Sequence, residues 1–129
     1  MSYKREINRY GSIKHIVKED DNLVIGILNE DLLKCLERNF NYDEIIYLFD
    51  REYFNTIKSK AVCKEPDIFN KNTGLDIVDL KILLKHHNKM IRIYQKAINK
   101  LLKLIAKIKV CIKEEEETVK NIKEELNKF

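Results

Sequence analysis

The chain has 129 residues, of which 44% are hydrophobic and 36% charged, and a net charge of +4. This sets a single domain, or one small domain with a helical extension, and the apolar share excludes wholesale disorder. Cys35, Cys63 and Cys111 are odd in number and far apart in sequence, which argues against a disulfide framework or a zinc knuckle and for a reducing cytosol. No run of about 18 apolar residues is present, so no membrane span is expected. The N-terminal MSYKREINRYGS has no apolar stretch of the kind a signal peptide needs.

The small total charge hides a division. Residues 1–79 carry −3, residues 80–113 carry +10 with no Asp or Glu, and residues 114–129 carry −3. A local +10 attracts phosphates or another polyanion, although a solvated helix face has the same look.

In chain order, residues 10–18 alternate as a strand, with Ile13, His15 and Val17 on one face. Asp20, Asp21 and Asn22 signal a turn. Residues 23–28, LVIGIL, read as the partner strand. Asn29 or Asp31 then caps a short helix over residues 31–39, with Leu32, Leu33, Cys35 and Leu36 inward. Residues 44–49, EIIYLF, predict a buried strand, with a reversal at Asp50–Tyr53 and a returning strand over residues 54–63 that Pro66 ends. The aromatics Phe40, Tyr42, Tyr47, Phe49, Tyr53 and Phe54 are expected to be mostly core, with some available as a stacking surface. Residues 64–73 form a linker, and Asn70 or Thr73 is the candidate N-cap of a long C-terminal helix.

From Ile77 to Phe129 there is no Gly or Pro. Apolar residues recur at steps of three and four, interrupted by His87 and Glu115, which is the signature of a long helix that packs along its length. With Ile77 at heptad position a, the g sites Leu83, Met90, Ala97, Leu104 and Cys111 widen the apolar face, favouring several helices or one flank on the N-terminal domain. The predicted interface includes Ile91, Tyr94, Ile98, Leu101, Ile105, Ile108 and Ile112. Antiparallel pairing lays the acidic end against the basic middle, so an antiparallel homo-oligomer is expected. Lys85, Lys89, Arg92, Lys96, Lys100, Lys103 and Lys107 form a ladder at steps of three and four. Either it tracks phosphates or it is the solvated back of a coiled coil.

The expected fold is therefore α+β. A β-rich N-terminal domain with a short helix spans residues 1–66, a linker and cap 67–73, and a long oligomerisation helix or helical hairpin 74–129. No phosphate loop, nucleophile elbow or zinc motif is present, and no catalytic residue, metal or cofactor is predicted. His87 reads as a core or ligand-facing break in the seam.

Residues 45–75 contain Ala61-Val62-Cys63, Asp67-Ile68-Phe69-Asn70 and Gly74-Leu75. This pattern resembles a module of small phage and prophage proteins: a β-hairpin, an acidic-aromatic D-x-F-[DN], then a Gly opening a helix. The Asp-Gly turn usual there is replaced by Asp50-Arg51-Glu52-Tyr53. The layout is similar to that of the phage sponges that counter Thoeris defence, which are homo-oligomers binding cyclic-ADP-ribose-type ligands without turnover. The resemblance implies a non-enzymatic protein of the host bacterial cytosol that sequesters a phosphate-bearing signalling nucleotide. Phe69, Arg92, Lys96, Lys100 and His87 are the candidate ligand-binding residues. Lysine stands where that family uses arginine, so fork-like recognition of phosphate is largely lost and the ligand is open to differ. Two alternatives remain: an inhibitor of a nucleic-acid-guided defence complex acting through the basic helix, and a coiled-coil assembly protein with no ligand.

Overall fold

The computed structural model describes residues 11–49, 54–64, 68 and 70–129, with Phe54 described by its backbone only. Strand β1 (Gly11–Lys18) leads through a 3-10 turn at Glu19–Asp21 into strand β2 (Leu23–Asp31). Asn22 closes that turn in the left-handed region at φ 50°, a conformation asparagine tolerates better than most residues. Helix α1 (Leu32–Glu37) comes directly after it, with the Asp31 side chain accepting from the Lys34 amide at 3.1 Å. Leu32, Cys35 and Leu36 are its buried residues.

Residues 44–49 are not a strand. They lie in helix α2 (Tyr42–Leu48) and its C-cap, Phe49. Asn41 Oδ1 accepts from the Glu44 amide at 2.9 Å, and Glu44 Oε1 accepts from the Asn41 amide at 3.0 Å. This reciprocal cap satisfies two donors that a helix start leaves open, and it outweighs the strand preference of Ile45, Ile46 and Tyr47. Ile45 is fully buried, whereas Ile46 and Tyr47 are exposed. Phe40 and Phe49 pack edge to face with ring centroids 5.1 Å apart. Tyr42 and Tyr47 are exposed, so the aromatic cluster is only partly core. The reversal expected at Asp50–Tyr53 and the stop at Pro66 lie outside the described residues.

Strand β3 (Phe54–Val62) pairs antiparallel with β2, not with residues 44–49, and the sheet order is β1-β2-β3. Ile25 sits opposite Ile16 and Lys60, and Ile27 opposite Lys14 and Lys58. Helix α3 (Lys71–Leu126) begins under Asn70, whose side chain accepts from the Thr73 amide at 3.1 Å. Asn70, rather than Thr73, is thus the cap. The architecture is α+β: a three-stranded antiparallel sheet followed by a long C-terminal helix.

The chain divides into two compact units, one ending at Ile93 and the other starting at Tyr94. In the first, α3 lies across one face of the sheet. Leu75, Val78, Ile82 and Leu83 form a core with Val24, Leu28, Ile57 and Ala61, flanked by Ile13 and Val17. Gly26 allows the approach: a Cβ there would stand 2.2 Å from Val78 Cγ1 and 2.7 Å from Ile82 Cδ1. At about 100° per residue, the sheet-facing stripe is nearly opposite the heptad seam. Ile77, Leu80 and Leu84 of that seam remain exposed at 41, 44 and 63%. In the second unit the a and d positions after Tyr94 are exposed as well, with Ile98 at 55%, Ile105 at 46% and Ile108 at 58%.

Candidate anion-binding groove

Side chains alternate across a strand, and β3 uses both faces. Ile57, Ser59 and Ala61 are buried toward α3, while Lys58 and Lys60 are exposed. Among the described residues β3 is an edge strand, and an edge leaves backbone groups without ladder partners. Lys81 and Lys85, one helical turn apart on α3, reach it. Lys81 Nζ donates to the Lys60 carbonyl at 2.9 Å, and Lys85 Nζ to the Lys58 carbonyl at 2.6 Å.

These four lysines, with Ile25 and Ser59, line a groove of about 550 Å³, within the range that takes a small ligand. No carboxylate is among its described lining residues. An ammonium has three donors, so Lys81 and Lys85 retain donors after binding their carbonyls. The groove offers concentrated positive charge beside the apolar side chain of Ile25. That combination suits phosphate oxygens attached to an apolar or planar group.

Behind the sheet lies a second polar assembly. Glu30, at the end of β2, is 1% exposed. It accepts from His86 Nδ1 on Oε2 and from Lys89 Nζ on Oε1, each at 2.5 Å. Burial by itself pushes the Glu30 carboxyl up; the hydrogen bonds and charges of His86 and Lys89 outweigh it, so the carboxyl sits below its ordinary value. His15 Nε2 donates to Asp79 Oδ1 at 2.5 Å, and the buried Asp79 Oδ2 has no hydrogen-bond partner among the described residues. Both pairs join α3 to the sheet. Cys35 is buried, and burial followed by the nearby Glu30 and Asp31 charges pushes its thiol up, which makes it a poor nucleophile. Among the described residues, no group of three His, Cys, Asp or Glu is placed to hold a metal ion.

The residues singled out from sequence fall in different places. Phe69 lies outside the described residues. Arg92 is exposed on α3 in the first unit, and Lys96 and Lys100 are exposed in the second. His87 is exposed, its ring edge-to-face with that of buried His86 at 5.2 Å. The seam's polar break therefore points to solvent, and the histidine that enters the interior is its neighbour. Within the lysine ladder, Lys85 holds the edge strand and Lys89 holds Glu30. Of the predicted interface, Ile91, Leu101 and Ile112 are exposed like their heptad neighbours, while Tyr94 is half-buried. Ala61, Val62, Cys63, Ile68, Asn70 and Gly74, which carry the module resemblance, line a separate hollow of about 590 Å³ together with Lys64, Thr73 and Ile77.

Sequence reasoning passes over Lys58, Lys60 and Lys81, as well as Glu30 and Asp79; it sets His15 on the face of Ile13 and Val17 without its partner. The alternation in residues 56–61, TIKSKA, marks the two strand lysines as outward. Nothing local indicates that α3 would bring Lys81 and Lys85 beside them.

No family model matches the chain, and no curated protein or solved structure matches it.

Proposed function

We propose that this protein is a non-catalytic binding protein that captures a phosphate-bearing nucleotide in the groove along the outer edge of β3, which Lys81 and Lys85 of α3 reach. The observation that carries the reading is the convergence of Lys58, Lys60, Lys81 and Lys85 on one groove with no carboxylate among its described lining residues. Two of the ammonium groups are held in place by backbone carbonyls, so part of the cost of ordering them is met before a ligand arrives. Ile25, on the same sheet face as Lys60, would accept the apolar face of a base or ribose. This reading uses the sheet edge in place of the helix residues Arg92, Lys96 and Lys100 expected from sequence, and keeps the expected class of ligand. Capture without turnover would withdraw such a nucleotide from its receptor, which is the sequestering role the module resemblance implies.

Lysines also guard edge strands against pairing with other chains, and the test separates that role from ligand capture. Titration calorimetry with ADP and with inorganic pyrophosphate is run on the wild type and on Lys58→Glu/Lys60→Glu. Both changed side chains are exposed, so the fold is expected to persist. The expected result is saturable binding by the wild type that weakens at least about tenfold in the variant, since a hydrogen bond to a charged group is worth about 1.5–3 kcal/mol. No heat with either probe at millimolar concentration, or equal binding by the variant, refutes the assignment of this groove. Steep salt dependence with a single-stranded oligonucleotide, and none with ADP, would point instead to a nucleic acid.

A further inference from the structure

We infer that the second unit, from Tyr94 onward, pairs antiparallel with the same segment of a second copy of this chain. The pairing uses the apolar seam and is centred near Cys111. The inference is independent of the lysine groove and rests on different residues.

The seam is the first observation. Positions a (Ile98, Ile105, Ile112) and d (Leu101, Ile108, Ile122) are 40–58% exposed in an α-helix that continues to Leu126. The unit spans 36 residues, residues 94 to 129, about five heptads and roughly 50 Å of helix. An apolar stripe maintained at 3.5-residue spacing over that length matches a partner helix of the same length and period. A second copy supplies one.

Charge then sets the direction. Lys96, Lys100, Lys103, Lys107, Lys109 and Lys113 are the only charged residues from 94 to 113, and Glu114–Glu117 begin the acidic end. A parallel pair in register stacks the lysines on lysines and the glutamates on glutamates. Glu115 decides the matter most sharply, because it occupies a d position. In a parallel pair it would face its own copy across the core, two carboxylates forced together in a desolvated layer. An antiparallel pair centred on the unit separates the two Glu115 side chains by about seven residues of helix, roughly 10 Å. The same arrangement sets the lysine run of one copy against Glu114–Glu117 of the other. The midpoint of the unit lies between Cys111 and Ile112, so Cys111, exposed at a g site, comes close to the Cys111 of the second copy.

Two measurements test this on the full chain. Sedimentation equilibrium gives the mass over a range of concentrations, where a single chain is 15.4 kDa. A short bis-maleimide then reports geometry, with linked peptides identified by mass spectrometry. Antiparallel pairing predicts a Cys111-to-Cys111 link in the wild type and none through residue 99 in Asn99→Cys/Cys111→Ser, because those two positions would be about 37 Å apart. A mass above one chain, together with that pattern, supports the inference. The link through residue 99 means a parallel pair and overturns it. A monomer at all concentrations overturns it too. Ile105→Lys/Ile108→Lys, changed where the wild-type side chains are already exposed, is expected to give a folded monomer. An unchanged mass in that variant places the contact elsewhere and refutes the seam.

Discussion

Glu30 is the residue on which the junction of sheet and helix most depends electrostatically. It is fully buried, and both of its oxygens are occupied, by His86 and by Lys89. Glu30→Ala removes the acceptor and leaves His86, itself 1% exposed, and Lys89 facing a cavity. Breaking a buried ionic cluster by removing one partner costs about 3–5 kcal/mol, chiefly because the remaining charge is stranded. That is a large fraction of a typical domain's stability. Glu30→Gln keeps the volume and one acceptor oxygen, so its loss is expected to be smaller, about 1–3 kcal/mol.

The pH dependence has its origin in the same contacts. The folded carboxyl lies below its ordinary value because the hydrogen bonds and charges of His86 and Lys89 outweigh the effect of burial. A lowered folded value means that the unfolded chain binds the proton more readily. The Glu30 contribution is therefore complete above the ordinary glutamate value of about 4.3. It is lost as pH falls through the depressed folded value. Urea unfolding of the wild type and Glu30→Gln, at fixed protein concentration and several pH values from 7 to 3, checks the sign. The gap between the two proteins should narrow as pH falls from about 5 to 3. A gap that stays constant down to pH 3, or widens, would show that Glu30 is not held ionised by its partners. A loss under about 0.5 kcal/mol in Glu30→Ala would remove the cluster from the account of stability altogether.

Packing and capping give two further expected outcomes. Gly26→Ala places a methyl 2.2 Å from Val78 Cγ1. A helical valine has essentially one χ1 rotamer, so it cannot turn aside. Overpacking of this kind costs about 1–3 kcal/mol, and a lowered urea midpoint with unchanged slope is the expected reading. Asn41→Ala removes the acceptor for the Glu44 amide and should cost about 1 kcal/mol, with faster amide exchange confined to α2.

Much of the fold is legible in the sequence, and the reasons are local. β1 and β3 show alternation, β2 shows a short β-branched apolar run, and α1 and α3 begin at side-chain caps written at Asp31 and Asn70. Residues 44–49 read as a strand only while their β-branched and aromatic composition is weighed without the Asn41-x-x-Glu44 cap that overlaps them. The site is less legible. The pairing of Glu30 with His86 spans 56 positions, and that of His15 with Asp79 spans 64. No periodicity links residues so far apart. Glu30 carries one visible trace: it continues the run Val24, Gly26, Leu28 on a single strand face, which places a carboxylate on the buried side, where it needs a partner.

Helix α3 also shows why an acid-free run has more than one physical cause. Across residues 80–113 the lysines look alike in sequence, and a phosphate ladder and a solvated coiled-coil back are both single accounts of them. In the first unit they have separate tasks. Lys81 and Lys85 donate to carbonyls of the edge strand, and Lys89 neutralises a buried glutamate. A glutamate in place of Lys81 or Lys85 would set a carboxylate against a backbone carbonyl, and one in place of Lys89 would set it against Glu30. All three arrangements bring acceptor to acceptor. Acidic residues are thus excluded from this flank by the sheet that it holds. The reason is different beyond Ile93, where Lys96 to Lys113 are exposed. There the separation of Lys96–Lys113 from Glu114–Glu117 orders the charge along the helix, and charge ordered by position can specify the direction of a partner, which interspersed Glu–Lys pairs along one helix would not.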